Sequence, residues 1–310
     1  MIRFIHILAL SFALICPAYA TGGNYKTEHI SIMFRDSERG NRRIPIDIYY
    51  PVNRDHQGVM ATENANERFP VICFGHGYLI SGKWYEHIWK MLVSGGYIVI
   101  IPGSESGLFP SHRALAKDLG FAISEIYRLD ADSSSPLYGR IDHTRCLMGH
   151  SMGGGSAFVA ASLQDDITAI AVLAPFETKP SAVEAASSVG IPSIIFAGEN
   201  DCITPPDKHQ LPIYNSSASK DKTYVLIREG NHCQMGVSHP KCNKAERISG
   251  CSENSISNDD QLKILAKYLI PWLDFFLKGS TESGVLFDSF HGDDTSVVIA
   301  RSGPLVSASN

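Results

Sequence analysis

A glycine-rich segment near the middle of the chain, residues 145–157, limits the possible folds more than any other stretch. It reads RCLMGHSMGGGSA and passes from an apolar run through glycines into an alanine-rich segment, Ser156–Leu163, with helical character. Small residues around Ser151 allow a strand and a helix to meet at a sharp turn without clashes between Cβ atoms. The pattern therefore predicts a strand, a tight turn and a helix, with Ser151 at the apex of the turn.

The same segment fits the G-x-S-x-G pattern, in which a strained turn lifts a serine hydroxyl above the edge of a sheet. The alternative interpretation is a glycine-rich turn that only packs tightly or binds a phosphate. A phosphate loop requires G-x-x-x-x-G-K-[ST], and a dinucleotide site requires G-x-G-x-x-G. The segment contains neither pattern. A nucleophilic serine is therefore the working interpretation, and it requires a base and an acid elsewhere in the chain.

Apolar runs alternate with helical patterns along most of the sequence, after a predicted N-terminal hairpin. Such alternation predicts right-handed βαβ units and an α/β fold, a mostly parallel twisted sheet of about eight strands with helices on both faces. We expect a catalytic domain over residues 21–279 and a C-terminal tail over 280–310, with residues 296–300 as a candidate edge strand. The predicted strands are 29–34, 43–50, 69–75, 97–101, 146–148, 167–174, 191–197 and 222–228, and the predicted helices include 84–93, 114–127 and 261–277.

Composition favours an ordinary globular protein and excludes some classes of partner. The chain has 310 residues, of which 44% are hydrophobic and 19% charged, which suffices for one large domain with a substantial core. A formal net charge of −5 does not favour nucleic acid as a partner. We expect a monomer that needs no cofactor and no metal.

The first twenty residues read as a signal peptide. Arg3 precedes an apolar run, Phe4–Ile15, and small residues at Ala18 and Ala20 fit the positions that a signal peptidase reads. We expect cleavage after Ala20 and a secreted or periplasmic protein without stable membrane insertion. One alternative is a buried N-terminal helix, which the polar residues after Ala20 disfavour. The other is a lipoprotein modified at Cys16, which Ile15 disfavours.

Cysteine content agrees with an oxidising compartment. The chain has seven cysteines, and removal of Cys16 with the leader leaves an even number. Cys73 and Cys146 lie in predicted buried strands and are expected to be free core residues. We predict disulfides between Cys202 and Cys233 and between Cys242 and Cys251, although four cysteines allow three pairings.

Candidate partners for Ser151 follow two later strands. Asp201 comes shortly after the strand 191–197, and His232 shortly after the strand 222–228. The order Ser, Asp, His is that of α/β-hydrolases. In this chemistry His232 would take the proton of Ser151, and Asp201 would orient and stabilise the imidazole. Other candidates remain open, namely Asp207 or Glu199 as the acid and His239 or His209 as the base.

The negative charge that develops during acyl transfer needs two hydrogen-bond donors aimed at one oxygen. The backbone N–H of Met152 is the first candidate, because it follows the serine. The backbone N–H of Tyr78, in the turn His76-Gly77-Tyr78 after a predicted strand, is the second. We also expect the ring of Tyr78 to form one wall of the substrate site and Phe176 the opposite wall.

Over Lys26–Leu277 the chain resembles the α/β-hydrolase superfamily, and within it the branch of cutinase-like polyester hydrolases, platelet-activating-factor acetylhydrolases and dienelactone hydrolase-like proteins. The resemblance implies a lidless α/β-hydrolase fold and ester hydrolysis by the residues named above. Two departures stand out: Pro175-Phe176-Glu177 replaces a segment that often contains Trp, and the loop after His232 is long and charged. The resembling motifs are Gly77-Tyr78, Gly149-His150-Ser151-Met152-Gly153-Gly154, Ile195–Asp201 and Leu211–Tyr214.

These observations lead to one functional hypothesis with defined alternatives. We predict a secreted serine carboxylesterase that cleaves short to medium acyl esters, small or polymeric, through an acyl-enzyme. Only residues 175–190 separate two predicted strands where lipases insert a lid, so we expect an open site, shaded at most by the segment between Cys242 and Cys251. The alternatives are a polyester hydrolase, a phospholipid acetylhydrolase, an acyltransferase or a peptidase, and a non-catalytic binding module.

Overall fold

The computed structural model describes residues 25–53, 67–236, 239–250, 255–290, 292 and 294–306. The predicted signal peptide and Cys251 lie outside these ranges. Within them the chain forms an α/β fold in which one sheet lies between two layers of helices. The predicted fold class is therefore confirmed.

The sheet has nine strands in the order β1-β2-β4-β3-β5-β6-β7-β8-β9. Strands β4, β3, β5, β6, β7 and β8 are parallel to one another, whereas β1, β2 and β9 pair antiparallel with their neighbours at the two ends. The antiparallel pair β1–β2 confirms the predicted N-terminal hairpin. The strands are β1 Lys26–Asp36, β2 Arg42–Val52, β3 Phe69–Gly75, β4 Ile98–Pro102, β5 Ile141–His150, β6 Ala169–Leu173, β7 Ser193–Gly198, β8 Lys222–Ile227 and β9 Val297–Arg301.

Helices cover both faces of the sheet, and their apolar sides form two cores. Residues of α2, α4, α5 and α6 join one core, and residues of α1, α8 and α9 join the other. Each central strand contributes to both cores through alternate residues, which explains why the strands read as continuous apolar runs. The helices are α1 Glu86–Ser94, α2 His112–Glu125, α3 Tyr127–Ala131, α4 Met152–Ala161, α5 Ala182–Ala186, α6 Gln210–Ser216, α7 Pro240–Ile248, α8 Asn258–Lys278 and α9 Thr281–Ser289, with a short 3-10 helix at Gly82–Tyr85.

The C-terminal segment is packed against the rest of the described chain. Strand β9 pairs with β8 along the outer edge of the sheet. The side chain of Asp288, at the end of α9, accepts hydrogen bonds from the backbone N–H groups of Leu305 and Val306. None of the described helices combines the length and the apolarity that crossing a lipid bilayer requires.

The turn between β5 and α4 brings a helix unusually close to the sheet. Ser151 has a φ of 55°, a strained value for a residue with a side chain, and α4 begins at the next residue. A Cβ atom on Gly153 would lie 2.1 Å from the carbonyl oxygen of Gly75 at the end of β3. Only glycine fits there, so this contact fixes how α4 leaves the sheet.

We predict that Gly153→Ala destabilises the protein, because its methyl group would overlap the Gly75 backbone. Overpacking of this kind costs about 1–3 kcal/mol in free energy of unfolding, and more when backbone must move. Gly190→Ala is the matched control, since no atom of the described residues lies within 4 Å of the added Cβ atom. Thermal unfolding of both variants tests the prediction, and equal melting temperatures would contradict it.

Candidate active site

Three predicted residues meet at the carboxyl edge of the parallel sheet. Ser151 follows β5, Asp201 follows β7 and His232 follows β8. The Nδ1 atom of His232 lies 2.7 Å from Oδ2 of Asp201, and both side chains are buried. Ser151 and His232 line one cavity of about 240 Å³. The sheet thus assembles a serine, a histidine and an aspartate from three separate loops.

The carboxylate of Asp201 is held by its own turn. Its Oδ1 accepts hydrogen bonds from the backbone N–H groups of Ile203, at 2.9 Å, and Thr204, at 2.7 Å. Its Oδ2 accepts from the hydroxyl of Thr204 at 2.7 Å as well as facing His232. These donors satisfy the buried carboxyl group and fix the oxygen that faces the imidazole.

Thr204 is itself positioned by Gln210 at the start of α6. The amide nitrogen of the buried Gln210 donates to the Thr204 hydroxyl at 3.0 Å and to the carbonyl of Pro175 at 2.8 Å. The Thr204 oxygen also lies 2.9 Å from Nδ1 of His232. Sequence reasoning missed Thr204 and Gln210. The only available signal was the Asp-x-x-Thr spacing, which is typical of an Asx turn.

A second buried chain of hydrogen bonds runs behind the serine. The ring of His150 lies 3.1 Å from the carbonyl oxygen of His232 through Nε2 and 3.0 Å from the Tyr85 hydroxyl through Nδ1. Because a carbonyl oxygen can only accept, the proton of His150 is on Nε2, and Tyr85 donates to Nδ1. The Tyr85 oxygen then accepts from the N–H of Gly77 at 2.8 Å. Every group in this chain is satisfied.

Burial keeps His150 neutral. Desolvation lowers the pKa of His150 well below its usual 6.5, and the neighbouring His232 lowers it further. A neutral imidazole is the form that the hydrogen bonds require, since one nitrogen must accept. Sequence analysis named His150 only as the variable position of the G-x-S-x-G pattern and did not identify Tyr85.

The turn that carries Tyr78 is anchored from both sides. The Gly77 carbonyl oxygen lies 2.9 Å from Nδ1 of His76 and accepts from the N–H of Ile80 at 3.2 Å. In a trans peptide the C=O and the following N–H point in opposite directions, so this anchorage also orients the N–H of Tyr78. Met152 is the first residue of α4, where an N–H has no partner within the helix.

The cavity beside Ser151 is largely apolar. The side chain of Tyr78 is half exposed on its rim and donates a hydrogen bond to the Leu108 carbonyl at 2.9 Å. Phe176 is not among the lining residues; its ring stacks on His209 and meets His112 edge-on, so its place in a substrate wall stays a prediction. The cavity is lined by Gly77, Tyr78, Leu79, Ile80, His150, Ser151, Ile203, His232, Lys241, Cys242 and Ala245.

The predicted disulfides are wrong. The structure pairs Cys233 with Cys242, with Cα atoms 5.7 Å apart, so Cys202 does not pair with Cys233 and Cys242 does not pair with Cys251. Cys202 is also disulfide-bonded. Cys73 and Cys146 are free and buried, as predicted.

The physical reason for the different pairing is a helix that sequence analysis took for a loop. Residues 240–248 form α7, with Pro240 in its first turn and the His239 side chain accepting from the N–H of Lys241. The helix folds back over the His232 loop, so its first turn meets Cys233. Its Glu246 accepts a hydrogen bond from the N–H of Cys233 at 2.7 Å, and burial raises the pKa of that carboxyl.

Helix α8 holds the other side of the His232 loop. The side-chain amide of Gln261 accepts from the N–H of Asn231 at 2.9 Å and donates to its carbonyl at 2.8 Å. Gln261 is fully buried, so both bonds are protected from water. The backbone on each side of His232 is thus fixed by a different helix.

The alternative acids and bases lie elsewhere. Glu199 accepts from the N–H of Glu229 at the surface, and Asp207 is exposed. His209 accepts from the N–H of Glu177, and His239 packs edge-on against Trp84. Among the residues that the structure describes, no cluster of three or more His, Cys, Asp or Glu side chains is arranged to hold a metal ion.

Comparison with known proteins identifies the family of this chain. Residues 47–284, from β2 into α9, match the family described as PET hydrolase-like. The match covers well over half of the chain. The chain belongs to the PET hydrolase-like family. Within the α/β-hydrolase superfamily this places it on the cutinase-like branch, so the resemblance inferred from the motifs is confirmed.

Several characterised proteins are similar to this member of the family. Cutinase est1 of Thermobifida alba is 30% identical over 195 residues, which is 62% of this chain and 59% of that protein. Cutinase 2 of Thermobifida cellulosilytica is 27% identical over 237 residues, 76% of this chain and 74% of that protein. A bis(hydroxyethyl) terephthalate hydrolase of Streptomyces coelicolor is 28% identical over 149 residues, 47% of this chain and 39% of that protein.

We predict that Tyr85→Phe lowers the free energy of unfolding by about 1–3 kcal/mol, because it leaves the Gly77 N–H and the His150 Nδ1 buried without partners. Denaturant unfolding measures the change. The matched control is Tyr138→Phe at a residue that is 55% exposed. An effect no larger than that of the control would show that the buried chain of hydrogen bonds contributes nothing.

We predict that stability falls as pH drops below about 6.5, because His150 stays unprotonated when folded but binds a proton when unfolded. Because folding lowers the pKa of His150, its contribution to the free energy of unfolding is complete above the pKa of the unfolded chain and is lost on acidification. One such group adds a slope of up to about 1.4 kcal/mol per pH unit. Unfolding between pH 7.5 and 5 should give a smaller slope for His150→Gln, and an unchanged slope would refute this assignment.

Proposed function

We propose that this protein is a serine carboxylesterase in which Ser151 is the nucleophile, His232 the general base and Asp201 the residue that orients it. The observation that carries the proposal is the 2.7 Å contact between His232 and Asp201, together with the cavity that His232 and Ser151 share. Serine alone is a weak nucleophile, and an adjacent base with an orienting acid is what activates it.

The proposed reaction uses the geometry of each loop. Asp201 binds Nδ1 of His232, which leaves Nε2 to take the Ser151 proton as the hydroxyl attacks the ester carbonyl. The backbone N–H groups of Met152 and Tyr78 would stabilise the oxyanion. His232 then returns the proton to the leaving alcohol, and a water attacks the acyl-enzyme by the same route in reverse.

The size of the cavity favours short to medium acyl groups. Its volume of about 240 Å³ is below the range of about 300–1,000 Å³ typical of pockets for drug-sized ligands. Between β6 and β7 the chain carries only α5, of five residues, so no large lid covers the site from that side. Polyester cleavage is the second candidate, because the similar proteins include cutinases and a bis(hydroxyethyl) terephthalate hydrolase.

We also propose that the protein is exported and acts outside the cytoplasm as a monomer. The N-terminal sequence fits a signal peptide, and the disulfide between Cys233 and Cys242 requires oxidising conditions to persist. Small or polymeric esters would be its substrates, without a cofactor. Acyl transfer and peptide cleavage are the alternative reactions that substrate tests on the same residues would detect.

We predict that Ser151→Ala lowers the turnover of p-nitrophenyl esters by about 10⁴-fold or more while the fold is retained. The chain from Thr21 would be assayed on esters from acetate to palmitate, with activity highest for the short chains. A burst of one p-nitrophenol per active site would reveal the acyl-enzyme.

Ser156→Ala is the matched control for this experiment. Ser156 lies in α4, the helix that follows Ser151, and is fully buried. Its hydroxyl has no hydrogen-bond partner among the described residues. It should retain wild-type turnover. Hydrolysis that persists in Ser151→Ala would exclude Ser151 as the nucleophile, and absence of activity on every ester would favour acyl transfer or peptide cleavage.

A further inference from the structure

Among the described residues that line the cavity beside Ser151 there is one lysine, Lys241. The other described lining residues are apolar, aromatic or uncharged, with the exception of His232. Lys241 lies in the first turn of α7. An ester in this cavity would therefore meet a lysine, and none of the described lining residues carries a carboxylate that could neutralise it. This lysine could select ligands by their charge, because a lysine side chain binds carboxylates as a point charge.

The position of Lys241 relative to the candidate base is fixed by a covalent bond. Cys242, the next residue, forms a disulfide with Cys233, the residue after His232. The backbone of Lys241 is therefore tied close to the backbone of His232. The hydrogen bond from the Cys233 N–H to Glu246 adds a second link between the same helix and the same loop. The backbone of residue 241 thus stays beside the site.

The surroundings of Lys241 are cationic. Lys244 and Arg247 lie further along the exposed side of α7, and no acidic side chain among the described residues forms an ion pair with any of these three. Lys83 approaches the same region through Trp84, over whose ring its Nζ atom lies. Burial lowers the pKa of His239, and the charges of Lys241 and Lys83 lower it further, so two cations converge on that ring.

This local charge is opposite in sign to that of the whole chain, which carries a formal net charge of −5. Lys83, Lys241, Lys244 and Arg247 together form a cationic rim beside the cavity. The acid in α7, Glu246, is buried and accepts a hydrogen bond from the Cys233 backbone, so it does not neutralise this rim. A cationic rim on an anionic protein raises the local concentration of anionic ligands relative to neutral ones. The rim thus favours anionic substrates over neutral ones.

We propose that Lys241 determines specificity by favouring esters that carry a carboxylate group away from the scissile bond, such as half-esters of dicarboxylic acids. The proposal rests on the proposed esterase function and names the substrate class of the same site. Lys241 is exposed, so water screens its charge. The expected preference is therefore modest, about three- to tenfold in kcat/KM.

Two pairs of test esters distinguish a carboxylate on the acyl side of the ester from one on the alcohol side. Monomethyl terephthalate and methyl 4-carbamoylbenzoate differ only in charge on the acyl side, and 4-acetoxybenzoate and 4-acetoxybenzamide differ only in charge on the alcohol side. The ratio of kcat/KM for the anionic and neutral member would be measured in wild type and in Lys241→Gln. Dividing the two ratios removes the intrinsic reactivity of each ester.

We expect this quotient to be about three to ten for at least one pair, and to shrink at high salt because the interaction is screened. Lys244→Gln is the matched control, since it removes the same charge from the same helix at a residue outside the cavity lining. Its quotient should be clearly closer to one than that of Lys241→Gln, because Lys244 contributes only to the general field of the helix.

Several results would overturn the proposal. A quotient near one for both pairs would do so, as would an equal loss in Lys244→Gln, since the effect would then belong to the general field of the helix. The same holds if wild type hydrolyses p-nitrophenyl acetate but neither anionic ester. Loss of all Ser151-dependent hydrolysis, including that of neutral esters, would instead refute the proposed function, so the two failures are distinguishable.

Discussion

The close approach of α4 to the end of β3 is the constraint on which the rest of the site depends. Gly153 packs against the carbonyl of Gly75, and Ser151 takes up a positive φ so that the chain can turn into the helix at that separation. The contact sets the first turn of α4 beside the turn at Gly77. The two candidate oxyanion donors, on Met152 and Tyr78, are therefore positioned by one packing contact between glycines.

Buried hydrogen bonds then connect the three loops that carry the candidate catalytic residues. The chain through Tyr85 and His150 joins the Gly77 turn to the backbone of His232. The pair Thr204 and Gln210 joins the Asp201 turn to α6. Because these groups are buried and hydrogen-bonded to one another, movement of one loop would break bonds in its neighbours. The loops are thus held as one unit by polar contacts that lie outside the reacting groups.

The side of the site that would receive substrate is built differently. It depends on α7, which is polar along most of its length and is held over the His232 loop by a disulfide and by Glu246. Few apolar contacts attach this helix to the core. Changes of charge on its exposed side are therefore expected to leave the central fold intact.

The sequence alone was sufficient for the fold class and for the residues that meet at the sheet edge. Buried parallel strands read as apolar runs, and polar residues that directly follow such strands must collect at one edge, so Ser151, Asp201 and His232 could be predicted without coordinates. The Gly-rich turn was readable for the same reason, since only small residues permit it.

Contacts between distant segments were decided only by the tertiary structure. Tyr85 and His150 are 65 residues apart, and no local pattern indicates that they bind each other. The disulfide pairing was mispredicted because it depends on where α7 folds back, and a mostly polar helix gives no periodic signal of burial. Local periodicity determines strands and helices, whereas the partners of buried polar groups depend on how those elements are assembled.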